Sequence, residues 1–230
     1  MNERALQISS RINEIHKELQ SFDQNPRLVA VTKYSPIEDV VLAYQSEQFD
    51  FGENKVQDLK LKADYFFEHN YHNVRWHFIG HLQSNKVKDL LKIPHLYAIH
   101  SIDSLKLIDE LIKRKSEIDQ ELNIFLQFNT SNEEEKSGFE SEDELYEAIR
   151  KLNSEPKFKF YGLMTMGTIR TENVEEEAQR CFSELVKLKN KVEKDFKLSQ
   201  LKLSMGMSGD YKLALQNGSD YIRIGTKIFK

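Results

Sequence analysis

Shortages define this 230-residue chain first: one cysteine, four prolines, nine glycines and one tryptophan. With Cys181 alone, no intrachain disulfide can form, which fits a reducing compartment and a fold that rests on a buried core. That thiol sits in the helix-type segment Ala178-Gln179-Arg180-Cys181-Phe182, where a cysteine reads as a small core residue instead of a nucleophile. No run rich in proline or glycine offers a linker between domains. No apolar stretch has the length of a membrane span, and Met1 to Gln20 mixes charges where a signal peptide would be apolar. Neither sign of charge dominates: 33 basic against 37 acidic residues leave a formal charge of −4, without basic blocks suited to nucleic acid. These absences predict a cytoplasmic globular protein with neither nucleic acid nor membrane as partner.

What is present is alternation. Ile8, Ile12, Ile15 and Leu19 recur at helical spacing, predicting an amphipathic helix that ends near Phe22. Short apolar runs follow and predict strands at Leu28–Thr32, Asp50–Gly52, Arg75–Ile79, Leu96–His100, Asn123–Phe128, Lys159–Met164, Gln200–Ser204 and Tyr221–Ile224. Between them, helix-period stretches cover Ile37–Ser46, Val56–Phe67, Lys86–Leu91, Ser104–Lys115, Glu142–Leu152, Val174–Glu193 and Asp210–Gln216. Strict strand–helix alternation implies parallel strands with right-handed crossovers. Eight of them in this length predict a single α/β domain over residues 1–230, a (β/α)8 TIM barrel; an open doubly wound sheet is the competing fold. The chain stops at Lys230, just past the last strand, so the missing outer helix is expected to be replaced by residues 1–22.

In such barrels the chemistry lies in the loops after the strands. Those positions hold Lys33, Glu53 with Asn54, His81, Ser101 with Asp103, Asn129, Thr165, Ser204 with Ser208, and Arg223 with Thr226. Lys33 ends the apolar run Leu28-Val29-Ala30-Val31-Thr32. It either snorkels to water or presents a partly desolvated amine to a carbonyl. Ser204-Met205-Gly206-Met207-Ser208 and Ile222-Arg223-Ile224-Gly225-Thr226 place small residues and hydroxyls after strands seven and eight, where these barrels recurrently bind phosphate. A strand-end lysine with a phosphate cradle suggests a phosphorylated carbonyl compound held as a Schiff base, either pyridoxal phosphate or a phosphosugar. His77 and His81 have no third ligand at metal-binding spacing. Glu133-Glu134-Glu135-Lys136 reads as a solvated loop, and Glu175-Glu176-Glu177 as the acidic first turn of a helix.

Seven segments, in order from Leu28 to Phe229, carry a resemblance. They are Val29-Ala30-Val31-Thr32-Lys33, Phe51-Gly52-Glu53-Asn54, Trp76-His77-Phe78-Ile79-Gly80-His81-Leu82-Gln83, Lys136-Ser137-Gly138, Gly162-Leu163-Met164, Leu203-Ser204-Met205-Gly206-Met207-Ser208 and Arg223-Ile224-Gly225-Thr226. Together they resemble the signatures of the YggS-like pyridoxal phosphate homeostasis proteins, whose barrel is similar to the N-terminal domain of alanine racemase (fold type III). The resemblance implies that Lys33 forms the internal aldimine with pyridoxal 5'-phosphate. It implies that Ser204, Gly206, Ser208, Gly225 and Thr226 surround the phosphate, and that Asn54 and His81 line the pocket near the ring. Arg223 falls where the racemase barrel presents an arginine to the pyridine nitrogen, which would disfavour its protonation and weaken the ring as an electron sink. Two departures stand out: Gly209, where an acidic residue often follows the serine, and the end at Phe229-Lys230.

The resemblance also shapes the expected function. In the racemase, a second β-rich domain supplies an acid/base group opposite the lysine, and two-sided proton transfer needs both. No residues follow Lys230 to build one, so the expectation is a non-catalytic pyridoxal phosphate carrier that limits the free cofactor and passes it to apoenzymes. It is expected to act as a monomer or weak dimer, without a metal. The competing readings are a racemase whose second base is Tyr34, His81 or a partner subunit's residue, and a Schiff-base aldolase.

Overall fold

Helix-period apolar spacing at the start of the chain produces α1 (Glu3–Leu19), which buries Ala5, Ile8, Ile12, Ile15 and Leu19 on one face. The computed structural model describes residues 3–131, 137–167 and 173–230. The Glu133-Glu134-Glu135-Lys136 run lies outside the described residues. After α1 the chain alternates through β1 (Arg27–Val31), α2 (Ile37–Gln45), β2 (Asp50–Glu53), α3 (Val56–Glu68), β3 (Arg75–Phe78) and α4 (Val87–Leu91). It continues through β4 (Leu96–Ile102), α5 (Leu105–Lys113), β5 (Leu122–Gln127), α6 (Glu142–Asn153), β6 (Phe158–Met164) and α7 (Val174–Asp195). It ends in β7 (Lys202–Met207), α8 (Tyr211–Gln216), β8 (Tyr221–Ile224) and α9 (Thr226–Phe229).

The strands close in sequence order into an eight-stranded barrel, with β8 pairing in parallel to β1 through Leu28↔Ile222 and Val29↔Arg223. The open doubly wound sheet is thereby excluded. Side-chain alternation along each strand sorts the residues into two layers. Leu28, Ala30, Phe51, Trp76, Phe78, Leu203 and Ile222 join the buried helix faces in one large apolar cluster. Val29, Ala98, Phe125, Met164 and Tyr221 form a separate small cluster. The barrel lumen therefore holds few aliphatic side chains, and polar ones share the space.

Some boundaries depart from the sequence reading. The seventh strand begins later and runs further than Gln200–Ser204. Gln200 has φ +64, incompatible with a strand, and pairing continues to Met207 against Arg223. The fourth extends past His100 to Ile102, and the segment before α4 opens with a 3-10 turn at Ser84–Lys86. The short α9 was not expected at all. It lies against α1, where Arg4 donates to Phe229 O (2.7 Å) and Arg11 to Ile228 O (3.0 Å), carbonyls that the last helical turn leaves without internal partners. Arg4 also forks onto Asp39 of α2 at 3.0 and 2.5 Å, so α1 spans the gap beyond β8. Among the described residues, no helix is long and apolar enough to cross a membrane.

Candidate functional site

Lys33 sits just beyond β1, at the same alternation as Val29 and Val31, and its side chain opens onto a cavity at the carboxyl ends of the strands. The turn that presents it is specific. Ser35 N–H donates to Thr32 O at 2.8 Å, leaving Lys33 and Tyr34 as the central residues, with Tyr34 at φ +71. A left-handed conformation costs a non-glycine residue about 1–2 kcal/mol, so contacts around the turn hold it. Behind it, on the opposite alternation, the wholly buried Glu53 accepts from Thr32 Oγ1 (2.8 Å), Lys62 Nζ (2.5 Å) and Asn54 N–H (3.2 Å). Lys62 also donates to Thr32 O at 2.8 Å, tying α3 to the residue before Lys33.

The cavity measures about 600 Å³. Of the expected residues, Lys33, Asn54, His81, Ser208, Arg223, Gly225 and Thr226 line it. Arg223 comes from β8, is almost wholly buried, and donates from NH1 to Ser204 Oγ (2.6 Å) and from NH2 to Thr165 O (2.9 Å). Burial pulls its pKa down to about 10, against the opposing pull of Asp210, so it stays a cation at neutral pH. His81 is at the exposed rim, with Nδ1 3.3 Å from Asp103 Oδ2 and 3.4 Å from Ser137 Oγ. Gly225 lets β8 approach β1, since a Cβ there would stand 2.8 Å from Val31 O.

Ser204 and Gly206, expected around a phosphate, both lie inside β7, which runs to Met207 instead of ending at Ser204, and neither lines the cavity. Ser204 is fully buried beneath Arg223 and within 2.7 Å of His100 Nδ1. Gly206 has φ +92, and an added Cβ would meet Ala214 Cβ at 2.6 Å, so it is glycine for the packing of α8 on β7. Glu53, Ser101, Asn129 and Thr165 are also outside the lining: Ser101 Oγ donates to Gly80 O (2.5 Å), and Thr165 Oγ1 meets Thr130 Oγ1 at 2.9 Å. The sequence reading missed His100 and Asp50, which join His77 in the barrel interior. His77 therefore points inward, away from His81, and among the described residues no three His, Cys, Asp or Glu side chains converge as metal ligands.

The Lys33 amine, the Arg223 guanidinium, the Asn54 amide and the Ser208 and Thr226 hydroxyls on one cavity form a donor set suited to a ligand with both a carbonyl and an anionic oxygen-rich group. The model of the alanine racemase N-terminal domain family matches residues 7–230. Pyridoxal phosphate homeostasis proteins are similar over most of the chain. That of Schizosaccharomyces pombe is 35% identical, with 90% of this chain and 84% of that protein aligned. That of Vibrio alginolyticus is 36% identical, over 96% and 93%. The chain belongs to the pyridoxal phosphate homeostasis protein family. The human protein of the same name is 36% identical over 89% of this chain and 76% of its own.

Solved structures place this family member in the same frame. PipY of Synechococcus elongatus PCC7942, with PLP bound, superposes with a TM-score of 0.85 at 28% identity, covering 97% of this chain and all of that one (100%). Alanine racemase from E. faecalis shares the fold at 14% identity and a TM-score of 0.70, with 96% of this chain matching 57% of the racemase. At Gly209 the backbone is sterically open, because nothing lies within 4 Å of an added Cβ.

Proposed function

We propose that this protein binds pyridoxal 5'-phosphate in the cavity after the strands, with Lys33 as the point of covalent attachment, and that it holds and releases the cofactor with little or no catalysis. The observation that carries the reading is the convergence of the Lys33 amine and the buried Arg223 cation on one cavity. The names of its relatives and the PLP-bound PipY support it. When bound, the cofactor supplies a reactive aldehyde and a phosphate dianion. Lys33 offers the nucleophile, aimed by the Thr32–Ser35 turn. Ser208 and Thr226 offer hydroxyls to the phosphate, and the small Gly225 beside them keeps the wall low. Ser204 and Gly206, at one remove, support this wall from within β7. Asn54 and His81 flank the opening. Arg223, a donor without lone pairs, favours a ring nitrogen that stays unprotonated, which suits holding over carbanion chemistry.

In this role the protein acts in the cytoplasm, as a monomer or weak dimer that delivers to PLP-dependent apoenzymes; the single buried Cys181 suits a reducing compartment. A racemase-like activity is the second reading, favoured by one feature: the Asp103–His81 pair at the rim, an oriented base on the cavity wall. Titration of the purified protein with pyridoxal phosphate should produce a visible absorbance band, and borohydride reduction should fix the label on the Lys33 peptide. Lys33→Ala should lose the band and keep its circular dichroism, since Lys33 is exposed and outside the core. A label elsewhere would overturn the site. Steady turnover of either enantiomer of an amino acid, lost in His81→Ala, would replace the carrier reading with the enzyme.

A further inference from the structure

Arg223 is joined to the opposite end of the barrel by hydrogen bonds whose direction is forced. At the far end the Asp50 carboxylate lies 2.9 Å from His77 Nε2, and it accepts from Arg75 Nε (2.7 Å) and NH2 (2.6 Å). Asp50 borders a second cavity of about 320 Å³, at the amino ends of the strands, with Arg75, Arg27 and His16 in its wall. His77 Nδ1 is 2.9 Å from His100 Nε2, and His100 Nδ1 is 2.7 Å from Ser204 Oγ. Ser204 Oγ accepts from Arg223 at 2.6 Å. The chain Asp50–His77–His100–Ser204–Arg223 thus crosses the lumen on β2, β3, β4, β7 and β8. His77, His100 and Ser204 have zero exposure.

With both rings neutral, the two ends admit one proton arrangement. A guanidinium only donates and an ionised carboxylate only accepts. His77 must therefore carry its proton on Nε2, facing Asp50, which leaves Nδ1 bare in the neutral ring. His100 then donates from Nε2 and accepts at Nδ1, where the Ser204 hydroxyl donates. Reversing any link would strand the serine proton or set a bare nitrogen against the carboxylate, at a cost of about 1–3 kcal/mol in a buried site. Burial, and beside it the Arg223 cation, press His100 towards its neutral form, as this arrangement requires. TIM-barrel interiors are ordinarily filled by branched aliphatic side chains. A polar chain in that space is tolerable only when every member is satisfied, and here each member is.

We propose that His100, His77 and Ser204 are positioning residues for Arg223, a one-way hydrogen-bonded chain that fixes its guanidinium at the cavity wall and anchors it to the Asp50–Arg75 pair at the barrel floor. Its consequence for ligand binding rests on the pyridoxal phosphate reading; the chain itself does not. The test begins with protein free of pyridoxal phosphate and 15N-labelled in histidine, the signals being assigned with His77→Phe and His100→Phe. Long-range 1H–15N spectra at neutral pH should show both rings neutral, protonated on Nε2 and bare on Nδ1. A proton on Nδ1 of either ring would overturn the chain.

The second arm uses Ser204→Ala, which removes a single oxygen, and His100→Phe, which keeps the stack on Phe125 (4.2 Å, 23°) while deleting both nitrogens. Each should weaken pyridoxal phosphate binding on the order of tenfold and shift the visible band of the bound cofactor. The double variant should do no worse than the single ones, because all cut one chain. Ser204→Ala should also change the His77 nitrogen shifts two links away, which a local packing defect would not. Folded variants with unchanged affinity and an unmoved band would overturn the positioning role. If the wild-type protein itself shows no binding, the ligand reading falls with its consequence, while the histidine tautomers still decide the chain.

Discussion

Glu53 is wholly buried, yet its carboxylate meets a lysine, a hydroxyl and a backbone N–H. Lys62, the lysine in question, has only 12% of its side chain exposed. In so dry a pair, removing one partner is far worse than removing both, because the survivor keeps its desolvation without compensation. Lys62→Met should therefore destabilise the fold by about 3 kcal/mol in urea unfolding, whereas Lys62→Met with Glu53→Leu should recover most of that loss. A single-variant loss below about 1 kcal/mol would mean that the pair behaves like a surface ion pair. Since Lys62 also holds Thr32 O, the single variant should loosen the turn that aims Lys33 and weaken capture of pyridoxal phosphate in parallel.

Between residue and molecule stand the elements, and α1 shows what one contributes. Its Ile12 is fully buried in the main cluster, and Ile12→Ala should cost about 2–5 kcal/mol, read as a fall in the urea midpoint at constant slope. At the N-terminus of α6, Ser141 Oγ accepts from Asp143 N–H at 3.2 Å, so Ser141→Ala should cost about 1 kcal/mol without touching the cavity. Elements such as α1 were legible because apolar spacing at three and four residues, or at two, directly encodes a buried face. The misplaced start of β7 had no such signal: a left-handed Gln200 is a matter of backbone context, and glutamine does not announce it. The α9 turn is too short to show a period, and its carbonyls are satisfied by Arg4 and Arg11, more than two hundred residues away in sequence.

Across the whole molecule, Lys33 and Arg223 were readable because strand ends in a barrel converge on one face, so their common cavity follows from the strand count. The buried chain beneath them was not. Period-two alternation places Asp50, His77, His100, Ser204 and Arg223 inward, but their contacts depend on the register of five strands and on the irregular pairing at Trp76/His77 and Ser204/Met207. That interior chain sets an acid limit on stability. Burial, and beside it the Arg223 cation, lower the His100 pKa well below the ordinary 6.5, so in acid the unfolded chain takes up a proton that the folded one refuses. Its stabilising contribution is complete above pH 6.5 and declines below it, by on the order of 1 kcal/mol at pH ~5.5 for this one group. His95, lowered by burial and by His72, acts in the same direction. Asp50 acts in a second window. Burial raises its pKa, but Arg75 and His77 outweigh burial and hold it well below 3.8, so its contribution is lost only as pH falls through and below that value. Urea unfolding at pH ~7.5 and ~5.5 should show the wild type losing stability and His100→Phe losing less, by on the order of 1 kcal/mol. Parallel losses in the two proteins would mean that His100 takes up its proton in the folded state and that its link to Ser204 reverses direction in acid.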